Sequence, residues 1–555
     1  MSSHEPPPSG KALLALEVVT FGVGIVLFVL FGWVLVARFA YPIDAEWMTG
    51  AVRDTVTRVR DGQALYAKPS EQFIAFLYPP LYYWLAGTLA HVCSVFVACK
   101  VVSILATVGT AAGIASLART LGATRRWTAL ALLLHFGTYG TTLFFYDLER
   151  VDVLGVSVVV VGLALLLRSD EVRATTVFGG GLLGLSFYGK QPGLLVFLAV
   201  VGALAFAGRT KQAKVCGAAG ALLWIVVGGW LELRTGPWFR YYCVSLPSAH
   251  GMDTRLLSTF FVQDLPKVVA FSIATLFVVG RGAARVVRRD PGESWRELVF
   301  AAALAAGVGG AFLLRTHSGG WPNVLLSWTP LACVAVATSS TRIESLARDT
   351  GVELVARGML LACVCLQFLG SVFDPNEVAP TRASLYRWQL LRANVRDLEH
   401  GGEVLVTTTG DLTKEPHLHL AALFDVLRAG DSAPPEFLAK VRERRYTALV
   451  IGELDELDCG SPGCTETQNA IRRNYFVAGE LPWPKRGLPG HIGFPSVPRW
   501  ILRPRQTPLG ELSTESLAER QRAEANLAAG LRLPEYTREI TKPHDELEAL
   551  AARPL

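Results

Sequence analysis

The stretch FIAFLYPPLYYWLAGTLAHVCSVFV, residues Phe73 to Val97, decides how the chain is threaded. It is apolar enough to cross a bilayer. It also carries Tyr78, Pro79-Pro80, Tyr82, Tyr83, Trp84 and His91, which suit a helix lying at the membrane interface. Around it the composition is that of a polytopic helical membrane protein. Of 555 residues 51% are hydrophobic, and apolar runs recur from Leu13 to Val372. A backbone in lipid must satisfy its own hydrogen bonds, which assigns such runs to helices. Lys11 to Arg38 is too long for a signal-peptide core and no small-residue cleavage site follows it, so it is read as a helix.

Eleven spans are expected, at 13–38, 99–118, 127–145, 153–168, 174–189, 192–208, 215–233, 263–280, 298–314, 324–340 and 356–373. With 73–97 interfacial, the basic clusters line up. Arg119/Arg125/Arg126, Arg168/Arg173, Arg209/Lys211/Lys214, the stretch Arg281 to Arg296 and Arg342/Arg348/Arg357 share one side, cytoplasmic by the positive-inside rule. With 73–97 as a span, 119–126 moves outside and the pattern breaks. The net charge of +6 thus sits in short loops as an orientation signal, not a nucleic-acid footprint. The expected location is a bacterial-type plasma membrane.

The titratable residues at the span ends then gather on the outer face. Asp44 and Glu46 follow the first span and are candidate general bases. Two residues apart, they point to opposite sides of an extended segment or diverge by about 200° on a helix. Only one can readily take a proton from an acceptor hydroxyl. Asp44 is favoured, with Glu46 orienting it or the acceptor; the plain alternative is that both favour the start of the next helix. Asp147, Glu149, Arg150 and Asp152 form a charged rim before the fourth span. Asp44 and Asp152 are a candidate pair for a divalent cation, although no third ligand can be named. Lys190, Arg315, His317 and Arg150 are candidates for a donor phosphate. Gln191, Asn323, Tyr78 and Tyr82 are candidates for substrate contact. No Walker loop, dinucleotide fingerprint or HExxH motif appears, which disfavours a nucleotide-fuelled pump or a sugar-nucleotide enzyme.

After about Ser384 the composition changes. Helices are expected at Trp388–His400, Leu418–Arg428, Glu436–Arg445 and near Gln468–Arg473, with strands at Glu403–Thr407, Ala448–Ile451 and Trp500–Arg503. This predicts a small extracytoplasmic α/β domain over 376–505 with a short parallel sheet, acting as a structural cap or as a lid or acceptor-binding module. Cys459 and Cys464 flank a Pro-Gly turn and suit a disulfide loop; zinc would need two more ligands. The other seven Cys lie in or beside apolar segments as small hydrophobes. Residues 506–555 read as a charged tail with one helical stretch, Thr514 to Leu531.

The runs Asp44-Ala45-Glu46, Gly62-Gln63-Ala64-Leu65-Tyr66, Tyr78-Pro79-Pro80-Leu81-Tyr82, Arg150-Val151-Asp152, Gly189-Lys190-Gln191 and His317-Ser318-Gly319-Gly320-Trp321-Pro322-Asn323 occur in an order similar to that of the GT-C membrane glycosyltransferases. Over about 1–375 the chain resembles the branch of protein O-mannosyltransferases, aminoarabinose transferases and related bacterial enzymes. Its trailing domain resembles those appended to some bacterial members. The resemblance implies a GT-C fold with its first outer loop and interfacial helix over 39–98, a polyprenyl-phosphate-linked sugar donor, an acid of the first outer loop as base, and inversion at the anomeric carbon. Ala45 separates two acids that are adjacent in many members, which leaves the base open between Asp44 and Glu46. Expected partners are the lipid-linked donor, membrane lipids and an envelope acceptor. A lipid-sugar flippase or transporter is the alternative, though its polar groups should lie at the bilayer midplane; a non-catalytic envelope assembly protein is another.

Overall fold

The computed structural model describes residues 8–289, 294–349, 352–407, 412–413, 417–481, 492–493 and 497–529. All eleven apolar runs are helical, as Pro8–Ala40, Val95–Thr120, Arg125–Gly137, Asp152–Leu166, Ala174–Gly189, Gly193–Phe206, Thr210–Thr235, Val269–Val287, Trp295–Thr316, Thr329–Asp349 and Glu353–Leu369. Five are long and apolar enough to cross a membrane: those starting at residues 8, 95, 210, 269 and 295. Their apolar side chains also face outward, for example Leu222, Ile225 and Val226, as lipid contact requires.

The stretch 73–97 does not form one spanning helix. Only Leu81–Leu89 is helical before a turn leads to Ser94, whose hydroxyl caps the helix Val95–Thr120. Nine residues of helix rise about 14 Å, half of a ~30 Å hydrocarbon core. Tyr82 and Tyr83 are buried within the protein, and the Tyr82 hydroxyl donates to the Cys99 carbonyl at 3.0 Å. The interfacial aromatics are therefore largely core residues.

The helix ends that carry the basic clusters also carry acidic partners. At the basic end Glu17 meets Arg126 at 2.6 Å and Arg357 at 2.5 Å, which ties three helices together. At the opposite end the connections are long and structured. The expected span 127–145 stops at Gly137. Residues 138–151 then fold irregularly, with Leu143 and Phe144 at positive φ, and deliver Asp147, Glu149 and Arg150 to the bundle end. The expected loop 234–262 is a series of short helical turns. Close helix contact depends on small residues: Gly184 faces Gly220, and Gly155 faces Gly189 and Lys190.

The C-terminal domain packs on that structured end. Its sheet runs, by first residue, in the order 404, 448, 500, 475. Only the pair Val404–Val406 with Ala448–Ile451 is parallel; the other two pairs are antiparallel. The expected parallel sheet is thus a mixed one. The reason is the strand Tyr475–Glu480, which follows helix Pro462–Asn474 without a turn and pairs back on Trp500–Pro504. Cys459 and Cys464 are bonded. Helix Thr514–Ala528 packs against this edge, with Arg505 bound to Glu524 at 2.7 Å, so order continues past the expected boundary at 505. The remainder of the expected tail, 530–555, lies outside the described residues.

Candidate active site

Two buried charge networks lie at the structured end. The first is a chain from helix Pro8–Ala40 to the first outer loop. Arg38 donates to Asp147 at 2.8 Å, Lys100 lies 3.8 Å from Asp147 and 3.5 Å from Glu149, Arg53 lies 3.5 Å from Glu149, and Arg53 pairs with Asp44. The Tyr139 hydroxyl also donates to Asp147 at 2.5 Å. Among the described residues three cations face three carboxylates, and such pairing is what lets ionised groups remain in a dry interior.

The second network begins two residues after Asp44. Glu46 Oε2 accepts from the Met48 amide at 3.0 Å and from Arg150 at 3.2 Å. Arg150 Nη2 donates to the Tyr78 hydroxyl at 2.9 Å, and its Nε lies 3.5 Å from Asp152. Asp152 in turn takes Lys190 and, at 3.0 Å, the Asn323 amide. Gly155 makes this possible: a Cβ there would sit 2.8 Å from the Lys190 Cβ, so the helix start carrying Asp152 can approach Lys190 closely. Burial raises the Glu46 pKa above its ordinary value even though Arg150 opposes that shift.

The second network floors a cavity of about 1240 Å³ between the helical bundle and the C-terminal domain. Glu46, Tyr78, Arg150, Lys190, Gln191, His317 and Asn323 line it. Apolar walls come from Leu194, Leu195, Leu313 and Leu314 at helix ends. Gln191 is oriented by the Leu77 carbonyl at 2.6 Å, and His317 by the Pro247 carbonyl at 2.9 Å.

Four of the expected site residues are placed elsewhere. Asp44 is wholly buried, does not line the cavity and faces Arg53. Tyr82 is core. Arg315 is held by Asp264 at 2.7 Å and by the Gly320 carbonyl at 2.6 Å, away from the cavity wall. Asp152 lies behind Lys190 as its counter-ion. Asp44 and Asp152 thus belong to different networks, each engaged by its own cation. Among the described residues no group of three or more His, Cys, Asp and Glu side chains is placed to hold a metal. The residues do not fit a divalent cation at that pair.

The cavity also has a wall that the sequence did not suggest. Phe424, Asp425, Arg428, Glu453, Asp455, Glu456, Asp458, Arg499 and Trp500 of the C-terminal domain face it. The Ile492 amide donates to the Ala45 carbonyl at 2.7 Å, and Gly493, at positive φ, packs on the Glu46 side chain. Burial pushes Asp425 up to about 7, with Arg428 and Arg150 opposing, and pushes the His250 imidazole at the rim down to about 4.

No family model matches the sequence, and no curated protein matches it. Among solved structures the chain is similar to ArnT from Cupriavidus metallidurans bound to undecaprenyl phosphate. The TM-score is 0.48 at 11% identity, over 91% of this chain and 100% of that one. The same protein in its apo state gives 0.47 at 12% identity, over 86% and 97%.

Proposed function

We propose that this chain is an inverting GT-C-type glycosyltransferase. It moves a sugar from a polyprenyl-phosphate-linked donor to a hydroxyl of an envelope lipid, glycan or protein at the outer face of the membrane. The observation that carries this reading is the cavity itself. On its floor the carboxylate of Glu46 meets Arg150, with Lys190 on the same floor, in a space of about 1240 Å³ that also has leucines at the ends of apolar helices along one wall. That combination suits a donor with an anionic head and a hydrocarbon tail. The order of the sequence motifs supports it, and the Cys459–Cys464 disulfide supports an oxidising side for the C-terminal domain.

Glu46 is the base in this mechanism. As the acceptor oxygen attacks the anomeric carbon, Glu46 takes its proton. The bond from that carbon to the phosphate oxygen breaks on the far side, and the polyprenyl phosphate leaves with the electron pair, which inverts the configuration. Arg150 and Lys190 stabilise the charge gathering on the phosphate, with Asp152 and Asn323 holding Lys190 in place. Asp44 is a positioning residue, acting through Arg53 on the shape of the first outer loop.

The test uses the purified chain in lipid nanodiscs with undecaprenyl-phosphate-linked sugars, following release of undecaprenyl phosphate. Release by the wild type and its loss in Glu46→Gln are expected. Undiminished release by Glu46→Gln overturns the assignment of the base, and movement of intact donor between leaflets without release favours a flippase.

A further inference from the structure

We propose that Asp425 of the C-terminal domain is a sugar-binding residue of this same cavity, its carboxylate accepting hydrogen bonds from hydroxyl groups of the sugar on the lipid phosphate. The inference rests on the proposed function and extends the site beyond the membrane-spanning part of the chain.

The polar side chains of the cavity floor are occupied. Glu46 has Arg150 and the Met48 amide, Lys190 and Asn323 have Asp152, Gln191 has the Leu77 carbonyl, and His317 has the Pro247 carbonyl. The Asp425 carboxylate differs. It faces the cavity, and among the described residues it makes no hydrogen bond or ion pair. Arg428, three residues along the same helix, also lines the cavity but donates to the Ser318 carbonyl at 2.9 Å rather than to Asp425. A half-buried carboxylate left without donors has an electrostatic cost that a ligand bearing donors would remove.

The position of Asp425 is fixed. His250 Nε2 meets its backbone carbonyl at 2.7 Å, the Leu418 amide donates to Glu71 at 2.9 Å, and Tyr241 donates to Asp431 at 2.6 Å. These ties hold helix Leu420–Arg428 against three outer connections. Asp425 is close enough to Arg150 and Tyr78 for its charge to act on both. It therefore looks onto the same cavity as Glu46, Arg150 and Lys190, the space in which the proposed function seats the sugar. Phe424, Tyr78 and Trp500 line the same space and offer faces for a sugar ring. A carboxylate accepts several hydrogen bonds at once, which matches neighbouring hydroxyls on one ring.

The experiment measures binding, so it does not depend on turnover. Affinities for bare undecaprenyl phosphate and for undecaprenyl phosphate carrying mannose, glucose or arabinose are compared by native mass spectrometry of the full chain in nanodiscs. The wild type should bind at least one sugar lipid more tightly than the bare lipid. Asp425→Ala should lose about tenfold or more of that affinity while binding bare lipid as before, and Asp425→Asn should lose part of it. If thermal unfolding shows the Ala variant misfolded, the Asn variant decides. Equal loss for both lipids, no loss, or no sugar preference in the wild type overturns the proposal. A wild type that binds neither bare nor sugar-bearing lipid defeats the proposed function itself.

Discussion

Glu46 and Arg150 form an ion pair at 3.2 Å on the cavity floor, whereas Asp44, two residues earlier, is turned into the protein against Arg53. The sequence favours Asp44 as the base, whereas the geometry brings Glu46 to the cavity. Under the proposed mechanism Glu46→Gln lowers kcat by about 10²–10⁴-fold while leaving lipid-phosphate binding in place. Asp44→Asn removes a partner from a buried pair and destabilises by about 3 kcal/mol. Thermal unfolding and steady-state turnover, measured on both variants, separate the two effects. A stable Asp44→Asn enzyme with the larger loss of kcat would reverse the assignment.

The base must be ionised to act, and burial raises the Glu46 pKa. The rate should therefore climb with pH along a limb displaced above the ordinary glutamate value of about 4.3. Arg150 opposes the shift, so Arg150→Gln should move the limb to still higher pH as well as weakening donor binding. The pH profiles of kcat/KM for wild type and variant check this.

Asp425 links pH to stability. Its folded pKa, near 7, lies above the unfolded value of about 3.9, so the native state binds the proton more tightly than the unfolded chain. The resulting stabilisation is complete below about pH 4 and is lost as pH rises through about 7. Thermal unfolding from pH 4 to 8 should show this decline in the wild type and a smaller one in Asp425→Asn. Glu456, also pushed up to about 7 by burial, adds a slope of the same sign, whereas His250, pushed down to about 4, adds one of opposite sign between about pH 4 and 6.5.

Arg315 lies off the cavity wall, bound to Asp264 at 2.7 Å. Arg315→Met should lower stability by about 3 kcal/mol without raising KM for the donor. A higher KM in a stably folded variant would return Arg315 to the phosphate site.

Gly155→Ala places a methyl group 2.8 Å from the Lys190 Cβ and 3.0 Å from its amide nitrogen. The helix start must shift, at about 1–3 kcal/mol. Lys190 and Asp152 then separate, so affinity for bare undecaprenyl phosphate should change along with stability. A titration with that lipid in nanodiscs reads the change.

Much of this arrangement is legible in the chain. Apolar runs mark the helices, and charges at the ends of those runs mark the rim, which is why Glu46, Arg150, Lys190 and Asn323 can be named from the sequence. Side-chain direction is not legible. Asp44 and Glu46 diverge because one meets Arg53 and the other Arg150, and Arg150 is brought in by the irregular segment 138–151. Asp425 is the extreme case. It sits in a short amphipathic helix with no motif around it, and only contacts distant in sequence, from His250 and Ser318, turn that helix toward the cavity. The strand Tyr475–Glu480 carries no boundary signal of its own, because it starts where a helix ends, with no glycine or proline between them.

Among the described residues the charges from Arg38 to Asp44 alternate in pairs of opposite sign, and this constrains how related sequences can diverge. A single neutral replacement strands an ion in a medium that cannot solvate it, so replacements should be inherited in matched pairs of opposite sign. Relatives lacking an arginine at the position of Arg53 should also lack an acid at Asp44 or Glu149, and reverting one member alone should harm them.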